Sequence, residues 1–319
     1  MADALIAVED RPAVKRRAAL LSVGSNTLLI LLKVVAGTVT GSVSILSEAM
    51  HSSVDLIASI IAFFSIRKAD EPADEDHPWG HAKVENLAAA IEGMLILLGS
   101  AIIAFEAIRR LVIGSEVEHL GFGMAVIGVS MVTNVVISHY LHRKARETES
   151  PALEADASHL RTDAFTSGGV FVGLALTEMT GATWIDPVVA LLVATAILWT
   201  GVSIITRSGR MLVDEALPGA ELDAIREEIF AFGTRDVRGF HKLRARRAGS
   251  RRYVDMHVQF AAGTTLEAAH DTAHALQDAI AERLPGTDVL IHLEPEDKVL
   301  PGTEIRPDSA GSGPPTTPR

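Results

Sequence analysis

The sequence contains no cysteine among its 319 residues. It therefore has no disulfide bond, no thiolate metal ligand and no cysteine nucleophile. Any metal ion that it binds must be held by histidine, aspartate, glutamate, carbonyl oxygens or water.

Basic residues are fewer than acidic residues in this sequence. It has 29 Lys and Arg and 40 Asp and Glu, which give a formal net charge of −11. This balance argues against a general nucleic-acid-binding protein. It suits a protein that handles cations, but it is equally ordinary for a soluble surface.

Long apolar runs are present, but only in the first two thirds of the chain. Hydrophobic residues make up 48% of the sequence, which is low for a protein embedded wholly in a membrane. Six runs are each long enough to cross a bilayer as a helix, and they occupy residues 18–38, 42–66, 86–112, 121–141, 159–179 and 186–205. The sequence therefore predicts an all-α membrane bundle of six helices, with both chain ends on the same side.

The orientation follows from the lysine and arginine residues near the ends of the runs. Ten lie on the side of the N-terminus, and only Arg109 and Arg110 lie on the other side. Because cytoplasmic segments carry the excess of Lys and Arg, both termini are predicted to be cytoplasmic. Lys33, near the end of the first run, is interpreted as a lysine whose ammonium group extends to the membrane surface.

The remainder of the chain has the pattern of a small soluble α+β domain. Apolar residues at helical spacing predict helices at 220–232 and 265–284, and alternating patterns predict strands at 240–246, 253–261 and 288–293. The turn Ala248-Gly-Ser250 predicts a hairpin between the first two strands. The order αββαβ favours a small open sandwich. The predicted division is a cytoplasmic N-terminal segment (1–17), a transmembrane transport domain (18–209), a cytoplasmic C-terminal domain (210–297) and a disordered tail rich in Pro, Gly, Ser and Thr (298–319).

Two pairs of His and Asp lie inside or beside the apolar runs. His51 and Asp55 are four residues apart, as are His159 and Asp163. Residues with this spacing share one face of a helix. Ionisable groups at membrane depth are costly and mark ion or proton pathways. Two such pairs on facing helices provide two nitrogens and two oxygens, which suit Zn²⁺. This geometry requires the fifth helix to begin near residue 153. Hydrogen bonding between helices is the alternative role.

Two further groups are candidates for metal binding. Asp74, His77 and His81 lie in a short loop shaped by proline and glycine, and they could hold a second ion or form an ordinary solvated acidic loop. The soluble domain carries five histidines, at positions 241, 257, 270, 274 and 292. His257 and His292, with Glu294 two residues further on, are the better metal-ligand candidates. Surface histidines are common, so a role without metal stays open.

These motifs closely resemble those of the cation diffusion facilitator family, the proton-coupled exporters of divalent metal. The likeness covers residues 18–296 and rests on His51-Ser-Ser-Val-Asp55, Asp74…His77-Pro-Trp-Gly-His81-Ala-Lys83-Val-Glu85, His159-Leu-Arg-Thr-Asp163 and the histidine-bearing C-terminal domain. The resemblance implies a homodimer with a metallochaperone-like cytoplasmic domain. It implies a transport site at His51, Asp55, His159 and Asp163 and a loop site at Asp74, His77 and His81. It also implies a regulatory binuclear site at His241, His257 and His292, with His270 as a bridging ligand and Glu294 where members often have aspartate.

The resemblance also sets the expected function. A His-Asp/His-Asp set is similar to that of members moving zinc, often with cadmium, whereas all-oxygen sets are similar to those of manganese transporters. We therefore expect a membrane transporter, not an enzyme, which exports Zn²⁺ and in second place Cd²⁺ in exchange for H⁺ from a bacterial inner membrane. Zn²⁺ is expected to be both substrate and structural or regulatory ion. Fe²⁺, Co²⁺ and Mn²⁺ stay open as substrates. A channel, a metal-sensing protein and a membrane-embedded metal-dependent hydrolase are the rivals, although no nucleophile or general base accompanies the pairs.

Overall fold

The computed structural model describes residues 7–40, 43–113, 121–182, 184–234 and 237–296. The chain divides into two compact units, Met1–Leu212 and Val213–Arg319. The described part of the first unit contains six long helices, which are α1 (Arg11–Thr40), α2 (Val43–Ala69), α3 (Lys83–Ile113), α4 (Gly121–Thr148), α5 (Pro151–Thr180) and α6 (Ile185–Leu212). They are 27 to 31 residues long. At about 1.5 Å per residue, each exceeds the hydrocarbon thickness of a bilayer. The predicted disordered tail lies outside the described residues.

The six helices correspond to the six predicted apolar runs, but most of them extend further into polar sequence. α5 shows why. It begins at Pro151, a residue favoured in the first helical turn, and the Ser150 hydroxyl accepts a hydrogen bond from the Leu153 amide at 3.3 Å. Its first turns therefore carry polar residues that hydropathy alone assigns to a loop. Three helices in the described ranges, 11–39, 83–113 and 185–212, are long and apolar enough by composition to cross a membrane.

Polarity in this unit is inverted relative to a soluble protein. Large apolar side chains are exposed on the outside of the bundle, among them Leu28, Phe105, Val136, Leu192 and Trp199. Small and polar side chains fill the interior, among them Ser22, Asn26, Ser59, Ser100, Ser138 and Asp156. Lipid-facing apolar surface and polar contacts between helices are expected of a membrane bundle. The first unit is therefore a membrane domain.

α3 and α6 pack closely together, while α1 packs against α2 and α4, and α4 packs against α5. The α3–α6 contact depends on the absence of a side chain at Gly93. A Cβ atom placed there would lie 2.8 Å from Ile205 Cγ1 and 3.3 Å from the Gly201 carbonyl oxygen. Small residues at such positions allow two backbones to approach.

Gly93→Ala is therefore expected to destabilise the bundle by about 1–3 kcal/mol, the usual cost of overpacking. Thermal unfolding in detergent would measure it. Gly209→Ala on α6 is the control, because a Cβ atom there has nothing within 4 Å. Equal stability of the two variants would contradict the close-packing account.

The second unit is the predicted αββαβ domain. It consists of α7 (Gly219–Ala231), β1 (Val237–Ala248), β2 (Arg251–Phe260), α8 (Leu266–Arg283) and β3 (Thr287–Pro295). The sheet order is β1-β2-β3, with β1 and β2 antiparallel and β2 and β3 parallel. The predicted hairpin is confirmed, and Gly249 has a φ of +55° in its turn, which glycine tolerates best. The core contains Ile225 and Ile229 of α7, Leu276 and Ile280 of α8, and Val254, Met256 and Val258 of β2.

Candidate metal-binding sites

The first group of possible ligands lies in the interior of the membrane domain. Asp55 projects from α2, and His159 and Asp163 project from α5, one helical turn apart. His159 Nε2 lies 3.2 Å from Asp55 Oδ1 and 4.0 Å from Asp163 Oδ2. The three ligand atoms lie within 4.8 Å of one another. Tetrahedral zinc ligands at about 2.1 Å from the ion are about 3.4 Å apart. A small decrease in the distances between these three atoms would bring them around one ion.

The fourth predicted member of this group is His51. It lies on α2 one turn before Asp55, but its side chain lies outside the described part of the structure. The structure therefore brings three of the four predicted residues together, and the contribution of His51 stays a prediction.

Burial gives this group its chemical character. Asp55 and His159 are each 6% exposed, and the Asp163 side chain is 14% exposed. Two carboxylates at this depth repel each other and have lost most of their hydration, so the group favours a cation. The imidazole adds a nitrogen ligand, which suits zinc, cobalt and nickel better than magnesium or manganese.

A cavity of about 330 Å³ connects this group with one end of the bundle. Asp55 and Asp163 line it, and it continues past Ser130 and Asn134 to Asp186, the second residue of α6. Asp186 lies at the N-terminal end of α6, so the cavity reaches the end of the bundle opposite the start of α1.

The interpretation of Lys33 as a surface-reaching lysine is wrong. Lys33 is 5% exposed, lines the same cavity, and donates a hydrogen bond from Nζ to the Ser52 hydroxyl at 2.7 Å. Ser52 lies three residues before Asp55 and therefore on nearly the same face of α2. The ammonium group turns inward, where the Ser52 hydroxyl accepts its hydrogen bond.

The second group lies in the loop between α2 and α3. Asp74 Oδ1 accepts a hydrogen bond from the His77 amide at 2.6 Å, and His77 Nδ1 lies 3.1 Å from the same oxygen. His81 Nε2 is 3.2 Å from Asp74 Oδ2, and the two histidine rings are 4.5 Å apart. The His77 amide hydrogen bond lowers the pKa of Asp74, so the carboxylate is ionised at neutral pH. His81 is buried and the other two are exposed. The predicted loop residues are thus adjacent, as an ion would require.

The third group spans the three strands of the second unit. His241 on β1 pairs with His257 on β2, and His257 pairs in turn with His292 on β3. Glu294 lies between the rings: its Oε2 is 2.8 Å from His241 Nε2 and its Oε1 is 2.6 Å from His257 Nδ1. Burial raises the pKa of Glu294, but hydrogen bonds with His241 and His257 outweigh it and hold that pKa below its usual value. The carboxylate is therefore available as a ligand at neutral pH.

The last two predicted residues occupy different positions. His292 Nε2 lies 3.5 Å from Glu294 Oε1, but the His292 side chain is mostly exposed. His270 is not in the strand group. It lies on the exposed face of α8, where its ring packs edge-on against that of His274 at 4.3 Å. Within one chain, its predicted bridging role stays a prediction.

Several buried charged residues were not identified from the sequence. Lys15 Nζ donates to Glu85 Oε1 at 2.7 Å and also to Asp70. Glu92 on α3 and Asp156 on α5 are completely buried in the membrane domain. A lone carboxylate in an apolar run is itself a signal of function, and Glu92 carries that signal. Asp156 lies three residues before His159, on nearly the same face of α5.

Comparison with known proteins extends over both units. Residues 19–213 match the family described as the cation efflux transmembrane domain, and residues 217–296 match the cation efflux protein cytoplasmic domain. An uncharacterized transporter of Synechocystis is 38% identical over 277 residues, covering 87% of this chain and 89% of that protein. The cation-efflux pump FieF of Serratia proteamaculans is 34% identical over 292 residues, covering 91% and 96%. The metal-bound C-terminal domain of the CzcD transporter from Thermotoga maritima is 28% identical, covering 26% of this chain and 100% of that one, with a TM-score of 0.23.

The matched relatives are transporters, which removes the hydrolase from the functions considered for this chain. The two matched domains follow each other in the order of the two structural units, and the relatives match over nearly their whole length. The chain therefore belongs to the cation efflux, or cation diffusion facilitator, family of integral membrane metal transporters.

Proposed function

We propose that this transporter exports Zn²⁺, and in second place Cd²⁺, from the cytoplasm in exchange for protons. The observation that carries the proposal is the buried group of Asp55, His159 and Asp163 at the inner end of a cavity. A mixed nitrogen and oxygen set favours zinc over the harder ions. His51, one turn from Asp55, would complete a four-ligand set.

Proton exchange follows from the chemistry of the same ligands. Histidine binds a metal only in its neutral form, and carboxylates bind it only when ionised, so protons and metal compete for the group. An outward-facing group exposed to protons would release its ion, and an inward-facing group exposed to a less acidic cytoplasm would bind one. The competition therefore couples the outward movement of metal to the inward movement of protons, and no energy source other than the proton gradient is needed.

The distribution of Lys and Arg supports cytoplasmic termini, and the bacterial FieF relative supports an inner-membrane location. In this orientation the cavity reaches the external side, so the described conformation would be the one that releases metal. The division at 1–17, 18–209, 210–297 and 298–319 is retained as part of the proposal.

The other two groups would bind Zn²⁺ in supporting roles. The family resemblance and the cytoplasmic-domain match support a homodimer. Zn²⁺ at His241, His257 and Glu294 would stabilise the second unit, with His292 and His270 as additional ligands at a subunit contact. Such a site would regulate transport according to the cytoplasmic metal concentration.

The exchange is tested in proteoliposomes that contain the full-length protein and a pH-sensitive dye. An imposed proton gradient should drive Zn²⁺ movement, and a Zn²⁺ gradient should move protons in the opposite direction. Zn²⁺ movement without proton movement would identify a channel and contradict the exchange. Competition by Mn²⁺, Fe²⁺, Co²⁺ and Cd²⁺ in the same vesicles would test the metal preference, and stronger competition by Mn²⁺ than by Cd²⁺ would contradict it.

A further inference from the structure

Glu92 is a buried carboxyl group that the metal-binding group does not use. It lies in the first third of α3, its side chain is 0% exposed, and neither carboxylate oxygen has a hydrogen-bond partner. It makes no hydrogen bond or ion pair with Asp55, His159 or Asp163. A fully buried carboxylate that accepts no hydrogen bond is strongly unfavourable in its ionised form.

Asp156 is a second buried carboxyl group close to Glu92. It lies on α5, it is 0% exposed, and the charges of Glu92 and Asp156 act on each other. Its Oδ1 accepts a hydrogen bond from the Ser59 hydroxyl of α2 at 3.0 Å, while its Oδ2 has no partner. Ser59 also accepts a hydrogen bond from Asn26 of α1 at 2.7 Å. Two carboxyl groups in one dry region cannot both be ionised without a cation.

The surroundings of Glu92 and Asp156 determine which cation these two carboxyl groups can bind. Neither Glu92 nor Asp156 belongs to any of the three groups of described residues whose ligand atoms are close enough to hold a metal. The cavity that reaches Asp55 and Asp163 does not include either residue in its lining. A proton needs only one oxygen and no coordination shell. In this sealed, two-carboxyl environment, a proton is the cation that the geometry accommodates.

We propose that Glu92 and Asp156 form a proton-binding site, separate from the metal-binding group, which binds and releases one proton in each transport cycle. The proposal rests on the proton exchange proposed above. The proton is held on a carboxyl oxygen in the described conformation, and it leaves to the cytoplasmic side when the helices rearrange. The carboxylate that remains is then re-protonated from outside.

The position between helices explains how such a site would respond to conformation. α3 packs against α2, α5 and α6. The titratable groups that act on Glu92 are Asp156 and His159, both on α5, and His159 also acts on Asp156. Movement of α5 relative to α3 would therefore change the environment of Glu92 directly. The same helix carries His159 and Asp163, so metal release and proton binding would share one moving element.

Infrared difference spectroscopy tests the protonation state without relying on transport. The wild-type protein in a bilayer should show a protonated-carboxyl C=O band near neutral pH that shifts in D₂O. This band should lose intensity in Glu92→Gln and should change in Asp156→Asn. Glu106→Gln, which removes a partly exposed carboxylate from the same helix, should leave it unaltered. An unchanged band in both Glu92→Gln and Asp156→Asn would overturn the proposal.

Proton counting in proteoliposomes tests the role. Glu92→Gln should move one proton fewer per metal ion than the wild type, and its transport rate should depend less steeply on pH. Asp156→Asn is the second variant if Glu92→Gln does not fold. If the folded variants exchange metal for protons at the wild-type rate and with the wild-type proton-to-metal ratio, this proposal is overturned, but the proposed exchange is not. A wild type that moves metal without protons would overturn the exchange and this site together.

Discussion

Asp163→Asn is expected to abolish metal transport while the protein still folds. Asparagine keeps the shape of the side chain but removes its charge, and the buried group then loses one of the two carboxylates that oppose a divalent cation. Loss of even a supporting partner of a metal ligand commonly costs 10–100-fold in affinity. Loss of a charged ligand should exceed that, so we expect a decrease of more than about 100-fold in the affinity of the membrane group. Uptake of Zn²⁺ into proteoliposomes and equilibrium Zn²⁺ binding would measure the two effects.

The contrast with the second unit makes this prediction specific. His257→Ala should change only the dependence of transport on metal concentration, because His257 belongs to the strand group and not to the membrane group. Asp278→Asn, on the exposed face of α8, is the control for loss of a carboxylate elsewhere. If His257→Ala stops transport and Asp163→Asn does not, the assignment of the two groups is wrong.

Lys15→Met is expected to cause the largest loss of stability among the membrane-domain variants. Lys15 is 2% exposed and lies between Asp70 and Glu85. Glu85 is 1% exposed and has the Ser150 hydroxyl as its other partner. Removing the ammonium leaves a buried carboxylate without its counter-ion, which typically costs about 3–5 kcal/mol. Thermal or denaturant unfolding in detergent would detect this as a large decrease in the midpoint.

Lys68→Met is the matched control for this variant. Lys68 also forms a lysine–carboxylate pair, with Glu71, but both side chains are about half exposed. Solvent screens such pairs, so their removal changes stability little. A similar decrease in both variants would show that burial of the Lys15 cluster is not what stabilises the bundle.

The ion cluster explains how the helix ends are connected. Lys15 belongs to α1, Asp70 follows α2, Glu85 begins α3 and Ser150 precedes α5. Four segments therefore meet through one ammonium group and its carboxylates. Below this cluster the contacts become weaker hydroxyl hydrogen bonds, such as those of Ser59 with Ser22 and Asn26. We infer that the end near Lys15 is the firmly closed end of the bundle in this conformation, whereas the opposite end contains the cavity.

The features that the sequence predicted correctly depend on short-range geometry. His159 and Asp163 share a face because helical periodicity requires it. The three residues of the α2–α3 loop lie close together because only eight positions contain them. The turn at Gly249 pairs β1 with β2, although a register shift between His241 and Arg244 is also needed to place His241 opposite His257. In the first two cases the spacing along the chain already determines the spacing in space.

The features that were missed depend on distant partners. Lys15 and Glu85 are 70 positions apart, and no local pattern indicates that they meet. Lys33 was misinterpreted because its hydrogen-bond partner, Ser52, lies on another helix. Glu92 was overlooked because one acidic residue in an apolar run does not reveal whether it faces lipid, water or Asp156. Helix packing decides these cases, and a single sequence does not specify it.

The central claim is that α2 and α5 hold one transported ion between them. X-ray absorption spectroscopy of Zn²⁺ bound to a full-length variant tests it most directly, with Asp74 and His241 replaced by alanine to weaken the other two groups. We predict one ion per chain with nitrogen and oxygen ligands at about 2.0–2.2 Å, and a shell that changes both in Asp55→Asn and in His159→Ala. The claim would be contradicted if neither substitution changes the ligand shell of the bound ion. It would also be contradicted if the variant with Asp74 and His241 replaced by alanine binds no ion.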